Sequence, residues 1–349
     1  MAARSPAPAA GEWLGSKGPG YPLVLSSRAR LARNLDGLPF PGASDEEELE
    51  RARGMVLESV SRGVAEERDW EILFAEELRR DELGIMAEEH LTGPSFCEEP
   101  AAKAVALSPG KAAGVLVNDE DHVRIRVMMP GAQFMKAWSE ADTIDSRLER
   151  EVRYSFDHLL GYLTACPSNV GTGLRLSAMM HLPALVVTGD IGKTIAALGQ
   201  AGMYVRGLYG EGSGVAGNLF QISNRRTLGR SEEETVTQMD TVVAQVAGNE
   251  KTARKMLTRG PGLELADRVY RALGILERAR KLGFNECLEL LSMARLGVEL
   301  EVLPVRDFNL LEVGAAVAPY HLREALGVEA ADEDVDRERA VAVRRWLDL

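Results

Sequence analysis

The chain of 349 residues is poor in cysteine, and its three, Cys97, Cys166 and Cys287, are odd in number and widely spaced. That pattern excludes a disulfide framework and any Cys-based zinc module, and it makes the cytoplasm the expected compartment. No apolar run approaches the about 18 residues of a membrane span. Residues Met1–Ala10 are rich in Ala and Pro with one arginine and no apolar core, so they read as a disordered tail and not as a secretory signal. An excess of positive charge is also lacking. At a net charge of −12, nonspecific nucleic-acid binding through a basic face is excluded as the main activity, while a basic polypeptide would not be repelled. There are no internal repeats.

Two nucleotide motifs are missing despite partial matches. Gly192-Lys193-Thr194 resembles the tail of a P-loop, but Val187 stands where its first glycine is required. Gly212-Ser-Gly214-Val-Ala-Gly217 has dinucleotide-motif spacing, yet the following Asn218-Leu-Phe-Gln-Ile-Ser reads as a strand instead of the helix that motif needs.

What the chain does have is 45% hydrophobic residues, enough for a packed core, in two textures. Residues 11–250 mix short strands with helices and glycine-rich turns, the pattern of an α+β domain. Strands are expected at 23–27, 70–75, 113–117, 122–129, 184–188, 203–208 and 218–224. Helices are expected at 44–58, 132–163, 173–182, 191–201 and 231–249, the last opening on the capping box Ser231-Glu-Glu-Glu234. Residues 251–349 read as successive amphipathic helices, an all-α C-terminal domain for oligomerisation or regulation.

The chemistry concentrates in a few segments. In Ser26-Ser27-Arg28-Ala29-Arg30 an extended backbone points Arg28 and Arg30 the same way, a paired cation site matched to phosphate oxygens; a solvated edge strand is the alternative. In Asn118–Val127 an extended backbone would place Glu120, His122, Arg124 and Arg126 on one face, opposite core-facing Val123, Ile125 and Val127. Residues 166–175, Cys-Pro-Ser-Asn-Val-Gly-Thr-Gly-Leu-Arg, set a thiol and the Arg175 guanidinium around a tight turn, with a helix N-terminus near Gly173 expected to bind phosphate. The glycine-rich run from Arg206 through Glu211 to Gly217 reads as a loop able to close over a ligand. Together these offer five cations, Arg28, Arg30, Arg124, Arg175 and Arg206, and two carboxylates, Glu120 and Glu211, a set suited to a nucleoside triphosphate and a cationic second substrate.

These segments, with His90 and Gln221–Gly229, resemble in order and spacing the phosphagen (guanidino) kinases, and nearly the whole chain resembles the bacterial protein-arginine kinases of the McsB type. The resemblance implies an antiparallel sheet flanked by helices, with ATP across the sheet and Mg²⁺ carried on the nucleotide. It implies ATP contacts from Ser26, Ser27, Arg28, Ala29, Arg30, His90, Arg124, the run Arg175, Leu176, Ser177, Ala178, Met179, and the run Arg206, Gly207, Leu208, Tyr209, Gly210, Glu211. Glu120 and Glu211 would hold the target guanidinium and take its proton. Cys166 would assist as a thiolate, its pKa lowered by nearby arginines and the helix N-terminus. Met179 and Gln221 replace a histidine and an aspartate of the small-molecule enzymes. Only 25 residues precede Ser26, where those enzymes carry a helical domain, and the helical region here follows instead. A segment linked to phosphoarginine sensing in the family keeps Asp336, Arg339 and Ala340 but has Val335 in place of its leading arginine. The expected activity is ATP-dependent phosphorylation of arginine side chains in proteins, marking them for a Clp-type protease in the stress response. A zinc-binding activator protein and a homodimer or higher oligomer are implied with it. A free-arginine kinase or a catalytically weak adaptor are the other readings.

Overall fold

The computed structural model describes residues 11–65, 69–208, 216–259, 262–327 and 330–349; the expected tail, Met1–Ala10, lies outside them. Its centre is an eight-stranded antiparallel sheet built from β1 (Val24–Arg33), β2 (Glu71–Phe74), β3 (Ala104–Leu107), β4 (Ala113–Val117), β5 (Val123–Pro130), β8 (Leu174–His181), β9 (Met203–Arg206) and β10 (Leu219–Asn224). A separate two-stranded hairpin joins β6 (Phe156–Asp157) to β7 (Gly161–Tyr162). The order across the large sheet is β2-β3-β4-β5-β1-β8-β10-β9, so the two strands richest in arginine, β1 and β5, lie side by side at its middle.

Strict alternation makes the sheet two-faced. Ala29 and Leu31 of β1, Val123, Ile125 and Val127 of β5, and Leu174, Leu176, Ala178 and Met180 of β8 are all at most 1% exposed. They form one core with helices α2 (Glu46–Ser59), α5 (Phe134–Glu149) and α8 (Glu232–Thr258). The other face carries the intervening arginines and serines. Both α2 and α8 open on full capping boxes, Asp45 with Glu48 and Ser231 with Glu234, the second of which the sequence displays.

Three expectations fail. Residues Leu174–His181 are a strand, not the helix expected over 173–182, so no helix N-terminus stands near Gly173. Leu, Ala and Met favour helix locally, but pairing with β1 and β10 on both sides overrides that preference and exposes the period of two. Residues 184–188, expected as strand, fall in helix α6 (Pro183–Val187), whose N-terminal amides at Ala184 and Leu185 donate to the buried Glu250 carboxylate at 3.0 and 2.9 Å. The helix expected over 132–163 stops at Glu149; the Asp157 carboxylate then accepts the amides of Leu159 and Leu160 to turn the β6–β7 hairpin.

The remaining helices of the first part are short: α1 (Glu12–Gly15), α3 (Arg80–Glu88), α4 (Pro94–Glu98) and α7 (Ile191–Gln200). The C-terminal part is all helix, α9 (Leu263–Arg278), α10 (Phe284–Glu299), α11 (Leu310–Ala316), α12 (Pro319–Leu326) and α13 (Asp332–Leu347). Its core is continuous with Leu25, Met128 and Met179 from the far end of the sheet. No described helix is long and apolar enough to cross a membrane.

Candidate active site

Cross-strand register brings the cations together. Arg30 on β1 stands directly opposite Arg126 on β5 and Arg175 on β8, giving three arginines in one row across the sheet. One row along, Arg28 pairs with Met128 and Ser177; on the other side Ala32 pairs with Arg124. Like charges opposed in this way repel. The strain shows in their chemistry: burial, then the neighbouring Arg126 and Arg175, push Arg28 down to about 9, and burial pushes Arg126 down to about 10. Burial and then Arg28 hold Arg30 well below its ordinary value. Nε of Arg30, and Nε and Nη1 of Arg126, are buried donors that meet no acceptor among the described residues. A row of guanidiniums with spare buried donors fits a polyanion.

This row floors a cleft of about 580 Å³ that also contains His90, Glu120, Arg124, Cys166 and Arg206. Burial, with Arg28 and Arg126 beside it, drops the His90 imidazole to about 3, so it is neutral at physiological pH. Arg124 donates to Glu120 Oε2 at 2.8 Å and also to Asp119. Cys166 Sγ lies 3.0 Å from Ser168 Oγ. Tyr204 contributes a ring that sits about equally near Arg175 and Arg206, 5.6 and 5.4 Å from centroid to guanidinium carbon.

Glu120 reaches the cleft differently from the way the sequence suggests. The strand begins at Val123, after a turn with Asn118 at φ 55°, so Glu120 is not on it. His122 is wholly buried and accepts the Leu35 amide at Nδ1, and burial lowers its pKa to about 4. The turn is locked to the thiol segment instead. Asp121 Oδ1 accepts Asn34 Nδ2 and the Ala165 amide, both at 2.7 Å, and Asn34 in turn donates to the Leu163 carbonyl and accepts the His122 amide. Glu120 and Cys166 are thus each one residue from opposite ends of the same buried strut. Arg33 adds a second tie: its guanidinium pairs with Asp145 at 2.6 Å, donates to the Thr172 carbonyl and stacks 3.5 Å from the Tyr162 centroid.

The expected ATP residues divide by face. Arg28, Arg30, His90, Arg124, Arg175, Arg206 and Leu208 line the cleft. Ser26, Ser177 and Met179 line its narrow inner extension, where Ser177 Oγ accepts Arg28 Nε at 3.2 Å. Ser27, Ala29, Leu176 and Ala178 turn into the other face: Ser27 Oγ accepts the Gln133 amide, and the other three sit in the core. Gly207 is buried just past β9. Tyr209, Gly210 and Glu211 lie outside the described residues. Asp336 and Arg339 are on α13, away from the cleft; the Arg339 guanidinium is buried, donating to the Val317 and Leu282 carbonyls at 2.9 and 2.7 Å and pairing with Asp336. Among the described residues no group of His, Cys, Asp or Glu could hold a metal ion on its own.

Residues 54–253 match the ATP:guanido phosphotransferase C-terminal catalytic domain, and residues 262–349 the protein-arginine kinase McsB C-terminal domain. A protein-arginine kinase of Symbiobacterium thermophilum is 44% identical over 342 residues, 96% of each chain. This chain belongs to the protein-arginine kinase family. Another family relative, from Moorella thermoacetica, is 41% identical over 339 residues, 96% of this chain and 97% of its own. The fold recurs in the duplicated taurocyamine kinase of Schistosoma mansoni with bound transition state analog components, at a TM-score of 0.61 and 22% identity over 71% of this chain and 37% of that one. Lombricine kinase gives 0.58 and 22% over 71% of both chains. As a protein-arginine kinase family member the chain is a guanidino phosphotransferase, and three cleft or strut residues, Tyr204, Asn34 and Asp121, have no role in the sequence analysis, while Arg126 stands there on the charged face of its strand but not among the five cations. Their only signal there is position beside a motif, since each acts through register or a long-range contact.

Proposed function

We propose that this protein transfers the γ-phosphoryl group of ATP to a guanidino nitrogen of arginine side chains in proteins. The observation that carries the reading is the row Arg126, Arg30, Arg175, in which Arg30 and Arg126 have buried donors with no acceptor among the described residues, in one cleft with Glu120 and Cys166. Arg28, Arg30, Arg126, Arg175 and Arg206 would hold the phosphates, and neutral His90 would border the nucleotide without adding charge. Mg²⁺ would arrive on the nucleotide, its charge offsetting the phosphates.

A guanidinium, with a pKa above about 12, is a poor nucleophile until a carboxylate orients it and takes its proton. Glu120 would accept that proton, with Glu211 as the second carboxylate, while the guanidino nitrogen bonds to the γ-phosphorus and the bond to the β-phosphate oxygen breaks, releasing ADP. Cys166, across the strut from Glu120, would face the guanidino group. Residues 11–250 would supply this chemistry and 251–349 regulation or assembly, with Asp336 and Arg339 as the phosphoarginine-sensing pair. Family likeness supports cytoplasmic action with a zinc-binding activator protein and a Clp-type protease that reads phosphoarginine in the stress response. Incubation with ATP, Mg²⁺ and either an arginine-rich protein or free arginine tests the substrate: acid-labile phosphate is expected on the protein, and label on free arginine alone would overturn the proposal.

A further inference from the structure

The last residues of α3 face two ways. Glu88 and Glu89 are buried, at 7% and 0% exposure, against α12 of the C-terminal helices. The Glu88 carboxylate accepts the amides of Tyr320 and His321 at 2.8 and 3.0 Å and lies 2.8 Å from His321 Nδ1. Glu89 Oε1 is 3.5 Å from His321 Nε2, while its Oε2 accepts Lys111 Nζ at 3.2 Å. One imidazole is therefore bonded to Glu88 through Nδ1, while its Nε2 only faces Glu89 Oε1, neither of those two atoms having a hydrogen bond among the described residues. Burial opposes its charge, but the Glu88 hydrogen bond and the charges of the two neighbouring carboxylates together outweigh burial and raise His321 to about 9.

The very next residue is His90, in the left-handed region at φ 56°, lining the cleft beside Arg28 and Arg126. A non-glycine residue holds that conformation only where its surroundings fix it. Glu89 also acts electrostatically on Arg126, favouring its charged form. A second contact comes from the same helical region: Leu311 of α11 lines the inner extension of the cleft with Ser26, His90 and Met179.

We propose that His321 is a positioning residue for the nucleotide half of the cleft: bonded to Glu88 and set against Glu89, it fixes the turn that presents His90. The C-terminal helices thereby complete the nucleotide site as well as packing against it. The inference rests on reading this cleft as the ATP site.

Calorimetric titration of the full chain with ADP, beside steady-state kinetics, tests it. His321→Ala is expected to weaken ADP binding about tenfold and raise the KM for ATP to match, leaving the acceptor KM within about twofold, as a contact on one half of a site should. His321→Gln, which keeps a donor toward Glu88, is expected to recover most of that loss, and it stands in if the alanine variant does not fold. Arg79→Ala breaks the Arg79–Glu324 pair at the exposed end of the same α3–α12 contact and is expected to leave ADP binding unchanged. Wild-type ADP affinity in the His321 variants, an equal loss for ADP and acceptor, or an equal loss in Arg79→Ala would each overturn the inference. Failure of the wild-type chain to bind ADP would instead overturn the ATP reading of the cleft.

Discussion

Replacing Asp121 tests whether the carboxylate and thiol sides of the cleft are held in fixed relation. Asp121→Ala removes two 2.7 Å hydrogen bonds, leaving Asn34 Nδ2 short of an acceptor in a buried setting and the Ala165 amide short of one where it is only part-buried. At about 1 to 1.5 kcal/mol per bond, the local cost is about 2 to 3 kcal/mol. Released from the strut, the Glu120 turn and the Cys166 segment can drift apart, and a displacement of about 1 Å costs about 100-fold in rate, or ~2.7 kcal/mol of transition-state stabilisation. The arginine row is untouched, so ADP affinity should hold. Asp121→Asn separates geometry from charge: both bonds go to Oδ1, Oδ2 has no hydrogen-bond partner among the described residues, and burial already pushes the Asp121 carboxyl upward. The amide oxygen can accept both bonds, so this variant should keep most of the activity. The assay is kcat/KM for an arginine-bearing protein at saturating ATP, with calorimetric ADP titration alongside. Two results would refute the reasoning: an alanine variant within about threefold of wild type in kcat/KM, or an asparagine variant as damaged as the alanine one.

Glu120→Gln, which cannot take the guanidinium proton, should lower kcat by about 10²- to 10⁴-fold in single-turnover phosphorylation while ADP binding stays at the wild-type level. Arg126→Ala should weaken ADP by about 10- to 100-fold by calorimetry, the weight of one or two charge-assisted bonds, and should reduce the dependence of ADP affinity on salt. Gly173→Ala should lower thermal stability and slow turnover together, because Gly173 sits at φ 66° and an added Cβ would lie 2.5 Å from Arg33 Nη1 and 2.6 Å from the Ala32 carbonyl oxygen. The α3–α12 contact should weaken in alkali: His321 is raised from 6.5 to about 9, so its contribution is whole below about 6.5 and is lost as pH rises through about 9. Hydrogen exchange of the Tyr320 and His321 amides between pH 7 and 10, corrected for intrinsic rates, would show it as lost protection, and a flat profile would contradict it.

What the sequence shows of this site is whatever repeats locally. The alternation in Ser26–Arg30 and in Val123–Val127 puts arginines on one side and apolar residues on the other, and the structure keeps that division. The alternation in Leu174–His181 is just as regular, but its residues are also good helix formers, and only the two neighbouring strands decide between the periods. Strand β3, Ala104-Val-Ala-Leu, carries no period to read because all four residues are buried and nothing alternates. Helix α6 looks like a strand because the partner that caps it, Glu250, is 66 residues away from Ala184. Separations of 87 and 233 residues likewise hide Asn34 from Asp121 and His321 from Glu88. Register and long-range pairing assemble the site, and neither is written in any single window of the chain.

The side-by-side placement of β1 between β5 and β8 has a consequence for folding errors. A slip of one residue in β1 would carry Ala29 and Leu31 into the cleft and drive Arg28 and Arg30 into the apolar layer beneath the sheet. Two unpaired guanidiniums there cannot be tolerated, so a misregistered chain would collapse instead of lingering as a feeble enzyme. The same charges that await a polyanion therefore proofread the strand alignment that creates their pocket.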